Sequence, residues 1–305
     1  MKILFMGTPD FAVASLDALI SAGCDVAAVV TAPDKPSGRG QKLNESAVKK
    51  YAVSKGLPVL QPLKLKSEDF LQQLHTFNAD LQVVVAFRML PEAVWSMPRK
   101  GTINLHASLL PNYRGAAPIN WAVINGEKET GVSTFFLQHE IDTGNIIFSE
   151  KITISEDETA GDIHDKLMET GAKLLVKTVK AIEEGDYKEM PQNALPFTEQ
   201  PKHAPKIFKE DCLIDWNQDV QKVYNLIRGL SPYPTAYTVF MDKSFKIFGS
   251  RMEIKEPGIS PGAFLTDGKT YLKFACKNGF ISVADVQLEG KKRMSIEEFL
   301  RGVRL

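Results

Sequence analysis

The sequence predicts a two-domain α/β chain, with a doubly wound, mostly parallel sheet first and a smaller β-rich domain after it. Three observations predict this. Residues 1–183 alternate short apolar runs with amphipathic stretches, the βαβα rhythm of a parallel sheet whose right-handed crossovers pass through helices. Those apolar runs are nearly continuous, as suits strands covered on both faces. Beyond residue 206 the rhythm gives way to short β-type runs between Gly, Asp and Lys-Asn turns, which suit a small sheet or barrel. A chain of 305 residues is also long for a single core.

Each element follows from local composition. KILFMG (2–7), DVAAVVT (25–31), LQVVVAF (81–87) and GTINLH (101–106) are rich in Val, Ile, Leu and Phe and read as buried strands. Amphipathic stretches between and after them predict helices over 10–22, 45–55, 67–76 and 116–125, with Asn44 and Ser67 as N-caps for two of them. TGVSTFFLQH (130–139) and GNIIFSEKITI (144–154) read as paired strands joined by a loop that holds Asp142 and Gly144. A helix over 159–183 ends the first domain. Residues 184–206 carry Pro191, Pro196, Pro201 and Pro205 and read as a linker. The second domain, 207–305, opens with a helix over 219–230. AYTVFM, SFKIFGSR, YLKFAC and GFISVADVQL then predict its strands.

Composition narrows the function classes. The 37 basic and 37 acidic residues balance, so no global field points to nucleic acid. Residues 206–305 nevertheless hold 16 Lys and Arg against 12 Asp and Glu, a local excess of four. Cys24, Cys212 and Cys276 lie far apart with no CxxC, which fits a reducing compartment and argues against a cysteine-based metal site. The opening MKILFMGTPDFA reads as strand, turn and helix rather than a secretory leader. The sequence holds no apolar run of 18 residues that would span a membrane. A cytoplasmic protein with no membrane partner is expected.

The candidate chemistry sits at NLHASLLPNYRGAAP (104–118). On a strand Asn104 and His106 point to one face, about 7 Å apart at their α-carbons, with Leu105 turned to the other. Ligands of such sheets bind beyond the carboxyl ends of the strands. An Asn amide donates two hydrogen bonds without ionising, and a His exchanges a proton near neutral pH. Together they suit an oxyanion formed at an attacked carbonyl. Asp142 is the natural carboxylate to partner the imidazole, although His139 and Glu140 also lie near it in sequence. Taken alone, Asn-x-His at a strand end is more often a hydrogen-bonded loop pair than a catalytic one. Ser108 lacks a GxSxG elbow.

Over more than 40 residues, NLHASLLPNYRGAAPINWAVINGEKETGVSTFFLQHEIDTGNII resembles the formyltransferases that use 10-formyltetrahydrofolate. The resemblance implies that Asn104, His106 and Asp142 are the catalytic trio and that no metal takes part. It places Ser108, Leu109, Leu110 and Pro111 on the folate side, together with Phe87, Arg88, Met89 and Leu90. The family often has a Gly-containing turn where this chain reads VAFRMLPEAVW.

ILFMGTPDFAVASLDAL, IRGLSPYPTAY and VQLEGKKRMSIEEFLRG are similar to the methionyl-tRNA formyltransferases of that family. For this group the resemblance implies a Rossmann-like catalytic domain and a C-terminal OB-like β-barrel that helps to hold tRNA. It also implies that TAPDKPSGRGQKL (31–43) is a basic loop gripping the acceptor stem of initiator methionyl-tRNA through Lys35, Arg39 and Lys42. Lys291, Lys292 and Arg293 are expected to add phosphate contacts. A monomer is expected. An amino-sugar-nucleotide formyltransferase would share this layout and gain nothing from the basic loop. A catalytically silent RNA-binding protein would have no use for the trio, and a nicotinamide enzyme would need the GxGxxG that the N-terminus lacks.

Overall fold

The computed structural model describes residues 1–37, 42–194 and 200–303, with Ser37 and Lys42 described by their backbone alone. The chain forms two compact units. The first comprises residues 1–115, 131–152 and 165–203, the second residues 116–130, 153–164 and 204–303 of those described.

The first unit is built on a seven-stranded sheet. In chain order its surroundings run β1 (Lys2–Gly7), α1 (Asp10–Ser21), β2 (Asp25–Val30), the hairpin β3 (Lys35–Ser37) and β4 (Lys42–Asn44), α2 (Ala47–Ser54), β5 (Val59–Leu60), α3 (Glu68–Thr76), β6 (Leu81–Val85), α4 (Glu92–Trp95), β7 (Thr102–His106) and β8 (Arg114–Gly115). Then come α5 (Pro118–Ile124), β9 (Glu129–Phe136), β10 (Ile146–Thr153) and α6 (Ala160–Glu184). The strand order is β10-β9-β7-β6-β1-β2-β5. Strands β5, β2, β1, β6 and β7 run parallel, and β9 joins β7 antiparallel. The strands of 1–106 therefore wind outward in both directions from β1, as the βαβα rhythm requires.

Burial explains the near-continuous apolar runs. Ile3, Leu4, Phe5 and Met6 of β1 are fully buried, and so are Leu81, Val83 and Val85 of β6. Each such side chain contributes ~1.5–3 kcal/mol relative to its exposed state. Gly171 lets α6 lie close over β7, since a Cβ there would come within 2.9 Å of Leu105.

Helix starts correct one expectation. The N-cap of α2 is Ser46, whose hydroxyl accepts from Lys49 N at 3.0 Å, while Asn44 is exposed in β4. The hairpin β3–β4 occupies residues that read as a plain loop, and it moves the helix start two positions on. Ser67 does stand at the N-cap of α3, but its hydroxyl donates to Lys64 O instead of capping the helix.

The second unit holds α5 and β11 (His203–Ala204, at its boundary), then α7 (Val220–Gly229), β12 (Ala236–Phe240), β13 (Lys243–Ile254), β14 (Phe264–Thr266), β15 (Leu272–Cys276), β16 (Gly279–Leu288), β17 (Met294–Ser295) and α8 (Ile296–Arg301). Its sheet is antiparallel, in the order β12-β13-β16-β15-β14, with β17 beside β16. The sheet curls, since Phe240 from the first strand and Phe264 from the last meet at 5.2 Å between ring centroids. Trp216 stacks on Phe274 at 4.7 Å inside the same core. Helix α7 docks on α5 where Gly229 allows it, and Asn120 Nδ2 donates to Gly229 O at 2.7 Å. Among the described residues no helix is long and apolar enough to cross a membrane.

Candidate active site

The site is built at the carboxyl end of β7 within the first unit. Strand alternation puts Asn104 and His106 on one face, while Leu105 packs against α6. His106 is buried, and its ring stands nearly perpendicular to that of Phe135 at 6.5 Å between centroids. Its Nε2 lies 2.9 Å from the carbonyl oxygen of Tyr113. A carbonyl only accepts, so Nε2 carries a proton and Nδ1 is left as the nitrogen that can exchange one.

Asp142 faces that nitrogen. Its Oδ2 is 3.8 Å from His106 Nδ1, inside ion-pair range and beyond a direct hydrogen bond. The same oxygen accepts from Gly115 N at 2.9 Å, so β8 anchors the carboxylate. Asp142 adopts a left-handed conformation, φ 55°, which Asp tolerates better than most residues. The half-buried Asn104 makes no side-chain hydrogen bond among the described residues. Its amide is the free donor on this face.

The loop between β7 and β8 is bent so that Tyr113 returns to the imidazole. Ser108 is fully buried and its hydroxyl donates to Asn112 O at 2.7 Å. Ser133 Oγ donates to Ser108 O at 2.8 Å and accepts from Leu110 N at 3.2 Å, tying the loop to β9. The Leu110–Pro111 bond is cis, and Tyr113 sits at φ 61°. Buried polar groups of the loop are thus matched within the protein.

The residues expected on the folate side have mixed surroundings. Ser108 is engaged as described, and Leu110 packs with Phe135 and Ile146. Leu109 is half-buried and lies against Gly131, where a Cβ would meet it at 2.5 Å. Pro111 is buried. Phe87 and Leu90 pack at the edge of the core that holds Leu4, Val84 and Phe70. The Arg88 guanidinium donates to the carbonyls of Leu63 and Pro62, and burial pulls its pKa down. Met89 is 72% exposed. Ala86 takes φ 46°, the conformation a Gly would adopt with less strain at this turn.

The expected tRNA contacts are also spread. Lys35 is exposed in β3, and Arg39 lies outside the described residues, as does the side chain of Lys42. Lys291 and Lys292 are exposed. Arg293 is already engaged: it pairs with Asp285 and stacks on Phe248 at 4.3 Å, and the carboxylate raises its pKa.

Three groups at the site carry no signature in the sequence pattern: the Tyr113 carbonyl, the Gly115 amide and the Gln192 side chain. Gln192 is buried and donates to the carbonyls of Asp142 and Gly144, both at 2.8 Å. It lies in the Pro-punctuated stretch that reads as linker, so only its apposition in the fold reveals it. Among the described residues no group of three His, Cys, Asp or Glu could hold a metal ion.

Comparison with known proteins identifies the family of the chain. Residues 1–179 match the family described as formyl transferase, and residues 206–304 match the formyl transferase C-terminal domain. A methionyl-tRNA formyltransferase of Bacteroides fragilis is 54% identical over 310 aligned residues, covering 100% of this chain and 96% of that one. Two solved structures share the fold at low identity. HypX from Aquifex aeolicus in complex with tetrahydrofolic acid aligns with TM-score 0.67 and 19% identity over 99% of this chain. The chain spans 48% of HypX. An N-formyltransferase from Helicobacter canadensis, in complex with folinic acid and dTDP-3-aminofucose, aligns with TM-score 0.62 and 20% identity, covering 94% of this chain and 99% of that one. By its matches to both family models and its identity over the full chain, this protein belongs to the formyl transferase family, in the branch of the methionyl-tRNA formyltransferases.

Proposed function

We propose that this enzyme transfers the formyl group of 10-formyltetrahydrofolate to the α-amino group of methionine on initiator methionyl-tRNA, with Asn104, His106 and Asp142 surrounding the reacting carbon. The arrangement of His106 carries the reading: Nε2 is occupied by the Tyr113 carbonyl, and Nδ1 is turned to Asp142. Identity of 54% to a methionyl-tRNA formyltransferase supports this acceptor over an amino sugar. The enzyme is read as cytoplasmic, in keeping with three free cysteines, and as a monomer, in keeping with its neutral charge.

The amine attacks the formyl carbon, and the carbonyl π electrons move to oxygen. The Asn104 amide and a protonated His106 Nδ1 donate to that oxyanion, a role that hydrogen-bond donors fill best where water is excluded. The attacking nitrogen becomes cationic and loses a proton, with Asp142 as the nearest base. The intermediate then collapses. The bond from carbon to N10 breaks, N10 takes a proton, and formylmethionyl-tRNA and tetrahydrofolate leave. The folate is assigned to the loops 86–90 and 108–111, where Met89 and Leu109 leave apolar surface open.

Single-turnover formyl transfer tests this. Removal of one oxyanion donor costs ~10²–10³ in rate, so Asn104→Ala and His106→Ala are expected to fall by about that factor with the fold intact by circular dichroism. Asp142→Asn, which keeps the shape and loses the base, is expected to fall similarly. A His106→Ala enzyme with a near-normal single-turnover rate would refute the assignment. Faster transfer to a dTDP-amino sugar than to methionyl-tRNA would overturn the acceptor.

A further inference from the structure

We infer that Gln192 is a positioning residue of the reaction, closing a ring of hydrogen bonds that fixes the carboxylate of Asp142. The inference rests on Asp142 acting as proposed above.

Five hydrogen bonds build the ring. Gln192 Nε2 donates to Asp142 O and to Gly144 O, both at 2.8 Å. Its Oε1 accepts from Arg114 Nε at 3.0 Å and from Arg114 Nη2 at 2.6 Å. Arg114 precedes Gly115, whose amide donates to Asp142 Oδ2 at 2.9 Å. The circuit therefore leaves Asp142 by its backbone, passes through Gln192 and Arg114, and returns to Asp142 by its side chain. Held at both ends, the residue cannot swing its carboxylate away from His106 without breaking a part-buried hydrogen bond.

The chemistry of the three partner groups dictates which way the amide points. Two carbonyls can only accept and a guanidinium can only donate, so the NH₂ must face the loop and the oxygen must face Arg114. All four hydrogen-bonding positions of the amide are then filled. The residue is 3% exposed. No other side chain of this length supplies two donors and an acceptor in this arrangement. Glu would aim a carboxylate at two carbonyls, and Met would leave the guanidinium bonds and both carbonyls unmatched.

Residue 192 is brought here by backbone pairing. Ile146 N donates to Met190 O at 2.9 Å and Met190 N to Ile146 O at 2.8 Å, which docks this segment beside the start of β10. The loop is further pinned at Gly144, where a Cβ would fall 1.6 Å from Phe136 O. Asp142 itself, at φ 55°, occupies a conformation its surroundings must maintain. Asn145 Nδ2, donating to Glu189 Oε2, adds an exposed tie between the same two segments.

A double-mutant cycle in formyl transfer to methionyl-tRNA tests the role. Displacing a reacting group by ~1 Å can cost ~10² in rate, so Gln192→Ala is expected to lower kcat by ten- to a hundredfold. KM for both substrates should stay within threefold. Gln192→Glu, which keeps the volume and the acceptor for Arg114, is expected to lose as much, and it serves if Gln192→Ala does not fold. Placed on Asp142→Asn, either Gln192 substitution should cost less than threefold more, because the group being positioned is already gone. Full multiplication of the two losses would overturn the inference, as would a Gln192→Ala kcat within threefold of the parent. An Asp142→Asn enzyme with parental kcat would instead defeat the reading of Asp142 itself.

Discussion

At the scale of single residues, what was legible in the sequence is what side-chain type and strand alternation encode. Asn104 and His106 share a face because a strand has period two, and the structure ends β7 at His106. The groups that orient them were not legible. The Tyr113 carbonyl and the Gly115 amide are backbone atoms, which every residue owns, and their placement depends on how a bent loop returns. Gly144 shows the cost of misplacing that backbone. Its Cβ position lies 1.6 Å from a carbonyl oxygen of β9, so Gly144→Ala must displace the Asp142 loop or the strand. We expect loss of most formyl transfer together with a lower melting temperature, measured side by side. Parental activity in a folded Gly144→Ala enzyme would show that the loop tolerates movement. Cys276 offers a pH test of the core. Burial pushes its thiol up to about 12, so the unfolded chain ionises it first as pH rises. Its contribution to stability is complete below the ordinary thiol pKa of ~8.5 and is lost as pH climbs through the folded value. Cys276→Ala is therefore expected to show a shallower fall in melting temperature than the parent between pH 8 and 11. An unchanged slope would mean that the thiol ionises alike in the folded and unfolded chain.

At the scale of elements, hydrophobic patterning located strands well because burial on both faces leaves an unbroken apolar run. β1 and β16 begin and end at the residues their composition indicated. Helix starts were less legible, since several polar residues near each start are chemically able to cap. For α2, Asn44 and Ser46 both qualify, and the β3–β4 hairpin decides between them by claiming Asn44. Ser46 accepts from Lys49 N and also meets Thr31 Oγ1 at 2.7 Å, which ties the helix start to the end of β2. Loss of an N-cap costs ~1 kcal/mol, so Ser46→Ala is expected to lower the denaturation midpoint measurably while Asn44→Ala leaves it unchanged. Equal effects of the two in urea titrations would restore Asn44 as the cap. The short elements β5, β11 and β17 escaped the sequence reading for another reason. Two-residue strands have no periodicity to detect, and neighbouring strands select them.

At the scale of the whole molecule, the proposed acceptor is a polyanion, yet the chain carries no net charge. Attraction must then come from local groups rather than a global field. The last hundred residues, 206–305, hold the small cationic excess, and their candidate contacts differ in availability. Lys291 and Lys292 are exposed and free to meet phosphates. Arg293 is already bound to Asp285 and Phe248, where it braces β16 next to β17. The three should therefore behave differently when replaced by alanine. Each phosphate contact released contributes about one unit to the slope of log K against log salt, so Lys291→Ala and Lys292→Ala should each flatten the slope for initiator methionyl-tRNA by about that much. Arg293→Ala should lower thermal stability while leaving the slope close to the parent's. Titrations of binding between ~50 and 200 mM salt separate the cases. A parental slope in the Lys291→Ala, Lys292→Ala double variant would remove this segment from the tRNA interface. The attraction would then have to come from elsewhere, with Lys35 of the β3–β4 hairpin the next cation to replace.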